Sequence, residues 1–134
     1  MRKRLFAAML VGLAATSIVG VGAVQAEPGS STPGKCFYPN NWNGWKATPD
    51  SKSIYIRVGV NDIYRLDLSA ACPSLQEPDA HLVNDVRGPS QICSAVDLDL
   101  KVSDGHGFST GCIVSNVTPL SRDQASALPR NLRP

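Results

Sequence analysis

The first 26 residues constrain this chain more than any other feature. Residues 2–4 are basic, residues 5–24 carry no charge, and residues 24–26 (Val-Gln-Ala) end the stretch with the kind of site that a signal peptidase reads. This three-part pattern predicts a secretory signal peptide over residues 1–26. Because an exported domain folds in an oxidising compartment, its four cysteines are expected to form disulfide bonds.

The alternative is an uncleaved membrane anchor, since the uncharged stretch is long enough to span a bilayer. Much of it is Ala, Gly, Ser and Thr, which are weakly apolar and favour release over retention. We therefore predict an exported protein, periplasmic or secreted, with no stable membrane insertion after signal cleavage.

The chain that follows the predicted cleavage site has the size of one small domain with a modest core. Residues 27–35 are rich in Pro, Gly and Ser and predict a flexible spacer, residues 36–128 form a single β-rich domain, and residues 129–134 are expected to be a disordered tail. Three of the 13 basic residues lie in the signal segment, which leaves 10 Lys and Arg against 11 Asp and Glu. No basic run remains, so nucleic acid is not an expected partner.

Alternating apolar residues predict a first β-hairpin. Every second residue of 53–60 is Ile or Val, and residues 63–68 resume the alternation after a turn signal at Asn61-Asp62. Three residues of the second strand share one face and are expected to line the core: Tyr64, Leu66 and Leu68.

A second hairpin is predicted from residues 96–102 and 108–117, while residues 73–91 lack a regular pattern. Ser121 and Gln124 have the spacing of a capping box and predict a helix over residues 122–128. The expected fold is therefore mainly β. It is a small antiparallel sheet or barrel of two or three hairpins with a short C-terminal helix, stapled by disulfides.

An Asn-Gly pair lies between two tryptophans, Trp42 and Trp45. Asn43-Gly44 suits the central positions of a type I′ turn, which would set the two indoles opposite each other at the end of a hairpin. Two interpretations stay open: an aromatic pair that packs the edge of a small core, or an exposed platform for a sugar or a peptide. Trp42 and Trp45 are the candidate binding residues.

The four cysteines are Cys36, Cys72, Cys93 and Cys112, and their spacing contains no Cys-x-x-Cys pair of the kind found in zinc sites. Three disulfide connectivities are possible. We prefer Cys72–Cys93 with Cys36–Cys112, because Cys72 follows the first hairpin and Cys93 precedes the second. Such a bridge would clamp the irregular segment between them.

The cysteines and strands together form a recognisable framework. Its parts are Cys36-Phe37, the YRLDL strand at residues 64–68, Cys72-Pro73, Ile92-Cys93-Ser94 and Cys112. This framework resembles a family of small exported proteobacterial proteins that is catalogued as a domain of unknown function. The resemblance implies a bacterial envelope protein, and it supplies neither an activity nor site residues.

The sequence contains no recognisable catalytic or metal-binding motif. His81 and His106 are the only histidines, and His106 in a Gly-flanked turn is expected to be a turn residue rather than a general base. Asp97, Asp99 and Asp104 are close in sequence but lack a twelve-residue calcium loop, so solvated carboxylates are the favoured interpretation. We predict no catalytic residue, no metal site and no cofactor.

The functional hypothesis is an exported envelope protein that acts as a non-enzymatic binding module for a protein or cell-wall component. One alternative is a small secreted hydrolase with an Asp/His site, and another is a structural accessory subunit of an envelope complex. A pocket that holds His81 or His106 beside aspartates would favour the hydrolase. An exposed apolar patch with Trp42 or Trp45 would favour binding.

Overall fold

The computed structural model describes residues 35–86 and 90–134, which form two antiparallel β-sheets. The strands in chain order are β1 Trp42–Ala47, β2 Ser53–Val58, β3 Asp62–Leu68, β4 His81–Val86, β5 Leu98–Ser103, β6 Ser109–Gly111 and β7 Val114–Pro119. One sheet has the order β1-β2-β3-β7 and the other β4-β5-β6. A short helix, α1 Arg122–Ala127, follows the last strand. The prediction of a mainly β fold with a short C-terminal helix is confirmed.

The predicted first hairpin is formed by β2 and β3. Its register sets Ile56 opposite Tyr64 and Ile54 opposite Leu66, so these side chains share one face of the sheet. Tyr64, Leu66 and Leu68 are 1%, 0% and 8% exposed. The predicted core face of this strand is therefore confirmed.

Strand β4 lies within the stretch for which the sequence predicts no regular structure. It pairs with β5 along its length, with Leu82 opposite Val102 and Asn84 opposite Leu100. Because Val102 and Leu100 are buried, Leu82 and Asn84 occupy the inner face of their sheet. Asn84 puts a polar residue at an inner position and interrupts the apolar alternation, which is why the sequence pattern missed the strand.

The predicted second hairpin is divided between the two sheets. Strand β6 pairs with β5 over only three residues, and β7 then crosses to pair with β3. At this crossing the Cys112 N–H donates to the Leu100 carbonyl and the Ser69 N–H to the Ile113 carbonyl, each at 2.9 Å. The prediction of one continuous return strand over residues 108–117 is therefore wrong, and the crossing joins the two sheets along this side.

All four cysteines form disulfides, but the preferred pairing is wrong. The bonds are Cys36–Cys93 and Cys72–Cys112 rather than Cys72–Cys93 and Cys36–Cys112.

The backbone pairing explains the observed connectivity. An isolated antiparallel bridge pairs Phe37 with Ile92, and it sets their neighbours Cys36 and Cys93 opposite each other. Leu68 and Val114 pair across β3 and β7, and the second pair of cysteines lies just beyond them at the ends of these two strands. The sequence pattern could not show this, because the crossing of β7 decides which strand ends are neighbours.

Helix α1 begins at the predicted capping box. Ser121 Oγ accepts from the Gln124 N–H at 3.2 Å, and Gln124 Oε1 accepts from the Ser121 N–H at 2.8 Å. Residues 129–134, predicted as a disordered tail, instead fold back as a 3-10 turn at Arg130–Leu132 that contacts β1. Arg133 holds this turn, since its guanidinium donates to two carbonyls at the end of the helix, at 2.8 and 2.7 Å.

The predicted signal peptide and residues 27–34 of the predicted spacer lie outside the described residues.

Candidate functional site

Trp42 and Trp45 lie on strand β1 and not at a hairpin turn. The register against β2 shifts between Trp42 and Gly44, so Asn43 is the extra residue of a β-bulge. Gly44 does not adopt the positive φ that a type I′ turn needs, and the predicted turn is therefore wrong. The Asn43 Nδ2 donates instead to the Gly59 carbonyl at 2.7 Å, which ties the bulge to the turn between β2 and β3.

The bulge places both indoles on the same face of β1. Residues three apart in a regular strand point to opposite faces. With the extra residue, Trp42 pairs with Val58 and Trp45 with Ile56, and both partners are buried. The two indoles therefore point between the sheets, where they are partly buried against the core.

A cleft opens between strands β1 and β4, which are edge strands of the two sheets. Its volume is about 390 Å³. Trp42, Trp45 and Pro39 form one wall, and Leu82 and Asn84 of β4 form the other. We call it the β1–β4 cleft. None of the residues that line it is charged, so recognition here depends on aromatic contact and neutral hydrogen bonds.

Asn84 gives the cleft an unsatisfied amide. Its Oδ1 and Nδ2 are both buried, and neither has a hydrogen-bond partner in the described part of the chain. A buried polar group in this state costs about 1–3 kcal/mol of folding free energy. Since the great majority of buried polar side chains are paired, Asn84 is an exception that requires an explanation.

A second cavity, of about 370 Å³, lies beside the turn at residues 104–107 and includes Asp79, Asp104 and His106 in its lining. The Asp104 carboxylate accepts from the backbone N–H of His106 at 2.8 Å and of Phe108 at 3.2 Å. These hydrogen bonds lower the pKa of Asp104. This cavity therefore brings His106 beside aspartates, the arrangement named above for a hydrolase, whereas His81 does not line it. The Asp104 carboxylate shapes its own turn.

Asp97 and Asp99, which the sequence analysis considered together with Asp104, also have structural partners. The Asp97 carboxylate accepts from the backbone N–H groups of Cys93 and Ser94, which lowers its pKa and caps the short turn at Ala95–Asp97. Asp99 lies 3.8 Å from the Lys101 ammonium. The described residues contain no cluster of three metal-ligating side chains.

Sequence reasoning selected the two tryptophans and missed the opposite wall of the cleft. Leu82 and Asn84 lie in the segment for which the sequence predicts no regular structure, although Leu82 and Val86 alternate with His81 and Asp85. That alternation is the one signal that could have revealed the strand. The Asn84 amide itself has no sequence signature, because its isolation results from the packing of two distant strands.

Comparisons with known proteins identify the family of this chain but no individual related protein. No curated protein and no solved structure matches the chain. The two disulfides indicate an oxidising, non-cytoplasmic environment, and the described residues contain no helix that is long and apolar enough to cross a membrane. A family model covers residues 1–134, and the chain therefore belongs to DUF6491, a family of unknown function.

Proposed function

We propose that this protein is an exported, non-enzymatic binding module and that the β1–β4 cleft is its recognition site. The observation that carries the proposal is the Asn84 amide, whose two polar atoms are buried beside two indoles and have no hydrogen-bond partner among the described residues. A ligand that supplied one donor and one acceptor would satisfy both atoms if the Asn84 side chain rotated toward the cleft, and it would recover their desolvation cost.

The two tryptophans support binding because they are held in place before any ligand arrives. Bulky aromatic side chains are frequent binding anchors, since they bury a large area with only two rotatable bonds. The bulge at Asn43 and the contact with the core limit both indoles further. Contacts made by groups that are already ordered lose less entropy on binding.

The chemistry of the cleft favours binding over hydrolysis. Indole rings and a carboxamide offer contact area and hydrogen bonds, but neither exchanges protons near neutral pH as a general acid or base must. In the cavity beside His106, the Asp104 carboxylate is engaged by the backbone of its own turn, which removes one of the aspartates that a hydrolase could use there. The partner expected for such a site is a protein or a cell-wall component with uncharged groups.

Export is part of the proposal and is supported by two independent features. The N-terminal segment has the three-part pattern of a signal peptide, and the domain contains two disulfides. Sequencing the N-terminus of the protein recovered from the periplasm or medium of its host tests this directly. A new N-terminus at Glu27 supports export, and an intact Met1 in the cytoplasm contradicts it.

The binding proposal is tested with the protein's own fluorescence. The chain has only two tryptophans, and both line the cleft, so a bound ligand changes their emission. Wild-type protein is titrated with fractionated host envelope material. Trp42→Ala and Trp45→Ala are compared with the matched control His106→Ala in pull-down assays. We expect both Trp variants to lose capture while their melting curves stay cooperative, and His106→Ala to retain capture. Equal capture by all four proteins would contradict the proposal.

A further inference from the structure

We propose that the ligand of the β1–β4 cleft is an extended, uncharged polypeptide segment that adds as a strand to the open edge of β4. This inference rests on the proposed function of the cleft and narrows it to one class of ligand. It is carried by the direction of the β4 backbone groups, by the uncharged lining and by the Asn84 amide.

The direction of the β4 backbone groups follows from the hydrogen bonds between β5 and β6, on the opposite side of β5. The Cys112 N–H donates to the Leu100 carbonyl, so Leu100 directs its backbone groups toward β6. Successive residues of an antiparallel strand direct their backbone groups to opposite sides. The neighbouring Lys101 therefore directs its N–H and C=O toward β4.

The register between β4 and β5 then determines which residues of β4 direct their backbone groups to its unpaired edge. Lys101 is opposite Val83, so Val83 forms the hydrogen-bonded pair with β5. Leu82 and Asn84, one residue to either side, direct their backbone N–H and C=O groups away from β5. No described strand pairs with this edge, since β4 is the first strand of its sheet.

An edge of this kind is complementary to another extended backbone. Its donors and acceptors recur at every second residue, about 7 Å apart, and a second strand presents its own groups with the same repeat. Strand addition to an open edge is a common mode of peptide recognition. The other edge of the cleft is less accessible, because the turn at Arg130–Leu132 contacts β1.

The side chains around this edge define the segment that fits. An added strand would direct alternate side chains inward against Trp42, Trp45 and Leu82. A charged side chain there would lose its hydration with no opposite charge in the lining. The carboxamide of Asn84 has an N–H donor and a C=O acceptor. A peptide group has one acceptor and one donor, so it can pair with both. A neutral sugar could also contact the indoles and this amide, but its hydroxyls do not match the strand repeat of Leu82 and Asn84.

The test uses two panels of probes with the full exported chain. One panel contains eight-residue peptides of Val, Thr, Ser, Ala and Asn, and the other contains neutral oligosaccharides, including N-acetylglucosamine oligomers. Binding is followed by tryptophan emission and by amide hydrogen exchange. We expect peptides to bind and to slow exchange of the Leu82 and Asn84 amides at least tenfold. The Val83 amide, already bonded to β5, should change less than twofold.

A second measurement separates strand addition from other peptide binding. Only every second amide of an added strand faces β4, so methylating the nitrogens of one alternate set should abolish binding and methylating the other set should not. Equal effects of both sets would overturn strand addition. If the oligosaccharides bind and the peptides do not, the polypeptide assignment is wrong and the cleft remains a binding site. If neither panel alters the tryptophan emission, this inference and the proposed function are both contradicted.

Discussion

The β1–β4 cleft and the cavity beside the turn at residues 104–107 are close in volume, at about 390 and 370 Å³, but Asn84 in the first and Asp104 in the second differ in how their polar atoms are paired. In the turn cavity, the Asp104 carboxylate is satisfied by the backbone of its own loop. In the cleft, both polar atoms of Asn84 are buried, and neither has a partner within residues 35–86 and 90–134. Volume alone therefore does not identify a site, whereas an unsatisfied buried polar group indicates where a ligand could supply a hydrogen bond.

The two regions also differ in how firmly their aromatic side chains are held. Phe108 beside the turn is 77% exposed and follows Gly107, which has a φ of 100°. Trp42 and Trp45 are packed against the core, and both are paired with residues of β2 on either side of the bulge. A fixed aromatic pair is a better anchor than a single exposed ring, because less side-chain freedom is lost on binding.

The largest effect is expected from removing an anchor of the cleft. Trp45→Ala should weaken ligand binding by about 2–4 kcal/mol, which is at least ~30-fold, as is usual for a central aromatic anchor. The measurement is a titration by calorimetry, because the substitution alters the fluorescence. His106→Ala is the control from the turn cavity, and it should bind within twofold of wild type. A larger loss in His106→Ala than in Trp45→Ala would reverse the comparison between the two cavities.

The second effect concerns stability. Asn84→Leu replaces the unsatisfied amide with an apolar side chain of similar shape, so the free energy of unfolding should rise by about 1–3 kcal/mol. Urea denaturation of the two proteins measures this difference. Asn43→Leu is a useful contrast, because it removes the side-chain hydrogen bond to Gly59 and should lower stability. If Asn84→Leu destabilises the protein as Asn43→Leu does, the amide has a partner in the free protein.

A smaller effect is expected from the turn. Asp104→Ala removes the acceptor of the His106 and Phe108 N–H groups, so these two amides should exchange faster with solvent. Ligand binding in the β1–β4 cleft should stay within twofold of wild type. Hydrogen exchange and a parallel binding titration check the two halves of this prediction, and a loss of binding would show that the two regions are coupled.

The smallest effect is expected from pH. Asp97 and Asp104 have folded-state pKa values below their ordinary values, so each contributes stability that is present above the unfolded pKa. That stability is lost as the pH falls through the lower folded pKa, below about 4. Between pH 5 and 8, binding should be constant, because no residue lining the cleft titrates in that range. Thermal melts from pH 2 to 7, with binding assays from pH 5 to 8, provide the test.

The sequence was most informative where the local pattern was complete. The β2–β3 hairpin alternates without interruption, and its buried residues Tyr64 and Leu66 were predicted correctly. The capping box of Ser121 and Gln124 is likewise a local signal that marks the start of α1. Both predictions depend on residues close together in the chain, which is why they were confirmed.

The errors arose where long-range packing overrides a local preference. Asn43-Gly44 favours a turn, but the same residue types also suit a bulge, and pairing with β2 decided between them. The disulfide pairing depended on the crossing of β7. Asn84 concealed β4 by placing an amide where the pattern requires an apolar residue. A departure from the local rules at a site of this kind is what a functional constraint produces.

If the Asn84 amide holds a ligand, its cost to stability is explained by its role in binding. The most direct measurement is a fluorescence titration of wild type and Asn84→Leu with the uncharged peptides and oligosaccharides. We expect a saturable change in tryptophan emission for wild type and at least a tenfold weaker response for the more stable Asn84→Leu. Saturation of both proteins at the same probe concentration would contradict it.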